Sequence, residues 1–151
     1  MDIDKPKIIN MLTMDEGIRY QVYDDATGRT LKKGDILEGH ATIGVGRELC
    51  HFGISKQEVH ILLSNDIDRV IVEAESFPWY KHLNEARIMA VISMLFNLGK
   101  TRFNKFVKFQ SALLRQDWER ASEEMMDSRA ARQLPTRYTR LSNIMRSGKI
   151  D

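Results

Sequence analysis

Apolar residues recur at helical spacing over the first dozen positions, and then the pattern changes. Ile8, Ile9, Met11 and Leu12 give residues 4–15 one apolar face. Asp4 is placed to cap this helix, and Pro6 falls in its first turn, where a missing N–H costs little. Residues 17–54 then hold seven of the nine glycines, at 17, 28, 34, 39, 44, 46 and 53. Short strand-like runs lie between them: Tyr20 to Tyr23, Thr30-Leu31, and Ala41 to Val45. Brief β-type runs separated by turn residues predict a small antiparallel sheet.

From Ser55 onward the period is helical again. Ser55-Lys56-Gln57-Glu58 reads as a capping box opening a long helix through Val59, Leu62, Leu63, Ile67, Val70 and Ile71. Pro78 breaks the chain, and Asn84 caps an apolar helix through Ala90, Val91, Met94 and Leu95 that ends at Gly99. Further helices are expected over about 103–114, over about 118–127 behind the cap Asp117, and over about 136–146 from Pro135 to Gly148. The fold class is therefore α+β. One domain over 1–151 is expected, with a sheet lobe at about 16–54 and a larger helical lobe at about 1–15 and 55–151. A groove between such lobes is a natural ligand site.

Size and composition fit this reading. A chain of 151 residues with 42% hydrophobic and 29% charged residues has an ordinary globular composition and buries a substantial core. A single cysteine, Cys50, rules out an intramolecular disulfide and a cysteine-based zinc site, and is expected to be a small packed residue. The charged N-terminus lacks an apolar signal core, and no apolar run reaches the roughly 18 residues that span a bilayer. Cytoplasmic accumulation is the expectation. Charge is uneven: residues 100–151 hold 12 Lys/Arg against 6 Asp/Glu, whereas residues 1–99 hold 11 against 15. The C-terminal part is either a positive surface suited to anionic polymers or a solvated basic helix face.

Two carboxylates stand out by position. Glu16 ends the first helix, before Gly17, and Asp25 follows a strand and precedes a glycine turn. Glycosidic cleavage needs such a pair, one acid to protonate the leaving oxygen and one ionised group to activate water or attack the sugar. A helix C-terminus favours a protonated acid, and a loop carboxylate stays solvated. Spacing alone leaves ordinary turn chemistry at Asp24-Asp25 the simpler reading. The four histidines, His40, His51, His60 and His82, show no metal-ligand spacing, and no serine or cysteine nucleophile motif appears. No metal or cofactor is expected.

The surrounding residues sharpen this. Met11-Leu12, Asp15-Glu16-Gly17-Ile18-Arg19, Tyr23-Asp24-Asp25 and Thr42-Ile43-Gly44-Val45-Gly46 resemble the phage-type lysozymes (endolysins) of the T-even phage lysozyme family. Met94 to Gly99, Phe106, Trp118, Ser128-Arg129 and Gln133-Leu134-Pro135-Thr136-Arg137 continue the resemblance in order. It implies a two-lobed lysozyme-like fold and a peptidoglycan hydrolase that cuts the β-1,4 bond between N-acetylmuramic acid and N-acetylglucosamine with inversion. By the same resemblance Glu16 is the catalytic acid, Asp25 the catalytic aspartate and Thr42 the threonine at the water site. Phe96 and Asn97 fall on the substrate side of the central helix, Phe96 being equally a core candidate. Arg137 matches an arginine that pairs with the catalytic glutamate. The carboxyl groups of an inverting enzyme are expected about 6.5–9.5 Å apart. The resemblance further implies a monomer that stays in the host cytoplasm until a holin releases it to lyse the cell.

Departures from the family are also visible. Sixteen residues separate Asp25 from Thr42, far more than the family has; the segment 27–40 is either a longer surface hairpin or a lip that touches glycan or stem peptide. Arg47 replaces a family histidine, and an ion pair with Asp66 is expected. Ala130 stands where the family has tryptophan. Trp79, Tyr80 and Trp118 are either sugar platforms or buried aromatics. Two rivals to hydrolysis remain: a lytic transglycosylase, which needs no water-activating aspartate, and a non-catalytic wall-binding module. No nucleic-acid motif supports nucleic acid as a partner.

Overall fold

A computed structural model describes residues 2–150. Helix α1 (Lys5–Glu16) starts where Asp4 accepts the Lys7 N–H and stops at Gly17, whose φ of 71° turns the chain into the sheet. Strands β1 (Arg19–Asp24), β2 (Ala41–Gly44) and β3 (Arg47–Glu48) form one antiparallel sheet in that order. Tyr23 faces Thr42 and Asp24 faces Ala41, while Thr42 also faces Glu48. The β2–β3 turn uses Gly44 and Gly46 at φ of 69° and 70°, a region open to glycine and strained for most residues. A short helix, α2 (Leu49–Phe52), follows.

Helix α3 (Lys56–Glu75) opens on the capping box: Glu58 N–H donates to Ser55 Oγ and Ser55 N–H to the Glu58 carboxylate. Next come a 3-10 turn at Tyr80–His82 and helix α4 (Glu85–Phe103), capped by Asn84 and kinked at Gly99, where φ and ψ are 74° and 160°. Helices α5 (Val107–Leu114), α6 (Trp118–Met126), α7 (Arg129–Gln133) and α8 (Pro135–Ser147) complete the chain. Helix α5 starts at Val107, later than periodicity alone placed it, because α4 continues past the Gly99 kink to Phe103 and residues 104–106 form the turn between them. Thr30-Leu31 forms a single bridge from Thr30 to Tyr23 instead of a strand.

The chain divides into two units, one ending at His60 and the other beginning at Ile61. The second holds the apolar core, where Trp79, Met94, Leu95, Phe103, Phe109, Leu113, Met125, Tyr138 and Met145 are all buried. Phe77 stacks on Trp79, and the Trp79 indole N–H donates to Gln110, so Trp79 is a core residue and not a sugar platform. Arg87 lies over the Trp118 ring and donates to the carbonyls of Met145 and Arg146, tying the end of α8 to α4. Burial presses the arginine's pKa downward.

The first unit is built differently. Among its described residues only Asp24 and Thr42 are buried, and both are polar. Hydrogen bonds, not an apolar interior, organise the sheet and the long loop between β1 and β2. The Asp24 carboxylate accepts N–H groups from Ala26, Glu38 and Gly39 at 2.9, 2.7 and 3.0 Å. These donors, the Glu38 N–H foremost, hold its pKa below the ordinary carboxylate value, because they stabilise the ionised form. Arg19 fastens the loop's other end, donating to Gly28 O and Thr30 while lying over the Tyr23 ring. The inserted segment is thus an irregular loop wrapped around one carboxylate, not a surface hairpin.

Candidate active site

Helix α1 delivers Glu16 as its last residue, and the carboxylate lies against the β2–β3 turn. A side-chain carbon placed on Gly46 would stand 3.3 Å from Glu16 Oε2. Glycine there leaves room for the acid as well as meeting the turn's φ requirement. Both carboxyl oxygens of Asp25 face His40, the residue before β2. The His40 N–H donates to Oδ1 at 2.6 Å, and Nδ1 lies 3.2 Å from Oδ2. On the other side of the ring, Nε2 is 3.7 Å from the Glu48 carboxylate on β3.

Thr42, in the middle of β2, is 3% exposed and donates its hydroxyl proton to the His40 carbonyl at 3.0 Å. His40 therefore links the Asp25 carboxylate, held by its N–H, to the Thr42 hydroxyl, held by its C=O. Of the three assigned groups only Thr42 lies on β2; Asp25 follows β1 and is held by His40, the residue before β2, and Glu16 ends α1 against the β2–β3 turn. Two carboxylates and a buried hydroxyl thus belong to the same unit of the chain.

The second unit places the other three named residues on α4 and α8. Phe96 is 45% exposed on α4, so it is not core. Asn97 Oδ1 accepts the Tyr138 hydroxyl at 3.0 Å. Burial raises the Tyr138 pKa, keeping the hydroxyl a donor. The Arg137 guanidinium donates to the carbonyl and the hydroxyl of Ser93 at 3.0 and 3.1 Å.

Two expectations need correction. Arg47 does not pair with Asp66: it binds Glu58, and Asp66 pairs with Arg69 at 3.5 Å. The reason is local, since Glu58 is already held at the start of α3 by its capping bond to Ser55 and lies within reach of β3. Mutual hydrogen bonding raises the Arg47 pKa and pulls that of Glu58 down to about 2. Cys50 is exposed on α2 rather than packed. Sequence reading missed His40, whose part depends on contacts with Asp25 and Glu48 that its spacing from either does not signal. It also left Asp24 as a turn residue, although that carboxylate fastens the loop that carries His40. Among the described residues no three His, Cys, Asp or Glu side chains gather so as to hold a metal ion.

A small antiparallel sheet with a larger set of helices is the α+β build of the lysozyme-type glycoside hydrolases. The chain belongs to the phage lysozyme family, whose model matches residues 13–140. It is similar over 95% of its length to the probable T4-type lysozyme 1 of Dictyostelium discoideum, at 24% identity and with 96% of that protein covered. The probable T4-type lysozyme 2 of the same organism is 25% identical, with 93% of this chain and 94% of that protein covered. The pre-baseplate central spike protein Gp5 of Enterobacteria phage T4 is 29% identical over 93% of this chain, which spans only 28% of that protein. Family membership makes the chain a peptidoglycan-degrading glycosidase.

Proposed function

We propose that the chain hydrolyses the β-1,4 bond between N-acetylmuramic acid and N-acetylglucosamine with inversion, and so lyses the bacterial host for phage release. Glu16 protonates the departing glycosidic oxygen. Asp25 accepts a proton from the water that attacks the anomeric carbon from the opposite face. Thr42 has given its own proton to the His40 carbonyl, so toward a water its hydroxyl acts as an acceptor. A water that donates one hydrogen to Asp25 and the other to Thr42 keeps its lone pairs for the sugar. Inversion needs room for this water, hence carboxyl groups about 6.5–9.5 Å apart.

The observation that carries the reading is the double grip of His40 on Asp25 beside a buried Thr42, on the strand whose far turn meets Glu16. A transglycosylase would have no use for the aspartate. The exposed Phe96 ring, Asn97 and Arg137 are assigned to glycan binding, and the basic residues of 100–151 to approach toward anionic envelope polymers. The protein is expected as a monomer in the host cytoplasm until a holin admits it to the wall. Replacing Glu16 with Gln tests the core of this. The variant should fold normally and release no reducing ends from purified wall; clearing at the wild-type rate would remove Glu16 from the chemistry, and products lighter by one water would replace hydrolysis by transglycosylation.

A further inference from the structure

We propose that His40 is a positioning residue for Asp25, and that the inserted loop exists to present it; the inference rests on the hydrolytic role given to Asp25 above. A carboxylate on a loop edge is free to rotate unless both oxygens are engaged. Here the backbone N–H of His40 holds Oδ1, and the ring holds Oδ2. Because an ionised carboxylate only accepts, Nδ1 must carry the proton in this contact. Glu48 faces Nε2 at 3.7 Å and fixes the ring from behind; Asp25 and Glu48 are the acidic groups within 4 Å of the ring among the described residues.

The route of the loop supports the assignment. After Asp25 the chain turns at Gly28 and bonds back along β1 through Arg29 to Leu31, and beyond Gly34 it returns onto Asp24, which takes the N–H groups of Glu38 and Gly39. The next residue is His40. Asp24 thus sets the end of the loop, the loop end sets His40, and His40 sets Asp25. Gly39 makes the approach feasible: a side-chain carbon there would collide with Asp25 Oδ1 and stand 2.7 Å from Ala26 Cβ. His40 touches no reacting atom in this scheme. It fixes the plane of the carboxylate that must meet the attacking water, and displacement of such a group by about 1 Å costs on the order of 100-fold in rate.

The test is steady-state cleavage of purified peptidoglycan by the full chain carrying His40→Ala, His40→Asn, His40→Gln, Asp25→Asn, and His40→Ala with Asp25→Asn, each with a melting curve. His40→Ala should lower kcat by about 10-fold or more while KM stays within about twofold, because substrate contacts are untouched. His40→Asn should recover most of the loss, since its Nδ2 stands where Nδ1 stood; His40→Gln, whose amide lies one bond further out, should not. On top of Asp25→Asn, loss of His40 should change kcat by less than about twofold, the non-additivity of groups acting as one unit. Should His40→Ala melt early, the Asn and Gln variants decide the matter between themselves. Wild-type kcat in His40→Ala, equal activities of the Asn and Gln variants, or a full multiplicative loss in the double variant would each overturn the inference. Wild-type activity of Asp25→Asn alone would instead overturn the role of Asp25 itself.

Discussion

Replacing Gly39 with Ala should disable the enzyme without disturbing the helical unit. A methyl carbon at position 39 would stand 2.7 Å from Ala26 Cβ and 2.8 Å from Ala26 N, and nearer still to Asp25 Oδ1. Ordinary contact lies at about 3.5–4.0 Å. Ala26 is backbone-anchored, because its N–H is bonded to Asp24. The Gly39 backbone must therefore back away from Ala26, and the Asp25 carboxylate that it crowds must shift by about 1 Å. Such a misplacement is worth about 100-fold in kcat, or roughly 2.7 kcal/mol of activation free energy. The assay is initial-rate release of reducing ends from purified wall, with Lys33→Ala as a control in an exposed part of the same loop. KM should stay near the wild-type value, and the main thermal transition of the core should be unchanged. A Gly39→Ala enzyme with more than half of wild-type kcat would refute the reasoning, as would a control that loses as much.

Two further outcomes follow from the packing. Trp79→Ala removes the centre of the Phe77, Phe103 and Trp79 cluster and the bond to Gln110, and should cost about 3–5 kcal/mol in urea unfolding; a loss below about 1 kcal/mol would mean that the ring is not core. Glu58 has its folded pKa pulled from 4.5 to about 2 by Arg47, so its stabilising effect is complete above 4.5 and is lost as pH falls through that window toward 2. Melting temperatures of the wild type and Glu58→Gln should differ most near neutrality and converge by about pH 2; a constant gap would contradict the ion pair's part.

What the sequence disclosed was whatever is encoded locally. Asp4, Asn84 and Asp117 each cap the helix they precede, and the Ser55–Glu58 box forms both of its bonds, because a capping bond spans only a turn of chain. Gly17, Gly99 and Gly148 end or kink helices at positive φ, again a property of single residues. Strand β3, helix α2 and helix α7 escaped because two, four and five residues are too few to display a period. The partner of Arg47 was misjudged because an ion pair depends on which carboxylate is already immobilised, and Glu58 was. Within the proposed site, Glu16, Asp25 and Thr42 are assigned by resemblance. His40 could not be, because its contact with Asp25 closes a fifteen-residue excursion whose shape is set by three hydrogen bonds to Asp24.

The most direct test is the configuration of the first-formed sugar. Proton NMR of a defined glycan, recorded in the first minutes of cleavage, distinguishes the two anomers before mutarotation mixes them. Water delivered by Asp25 opposite the departing group should yield the α-anomer of N-acetylmuramic acid from the β-linked chain. The β-anomer appearing first, or an anhydro-sugar with no reducing end, would contradict an inverting hydrolysis at Glu16 and Asp25.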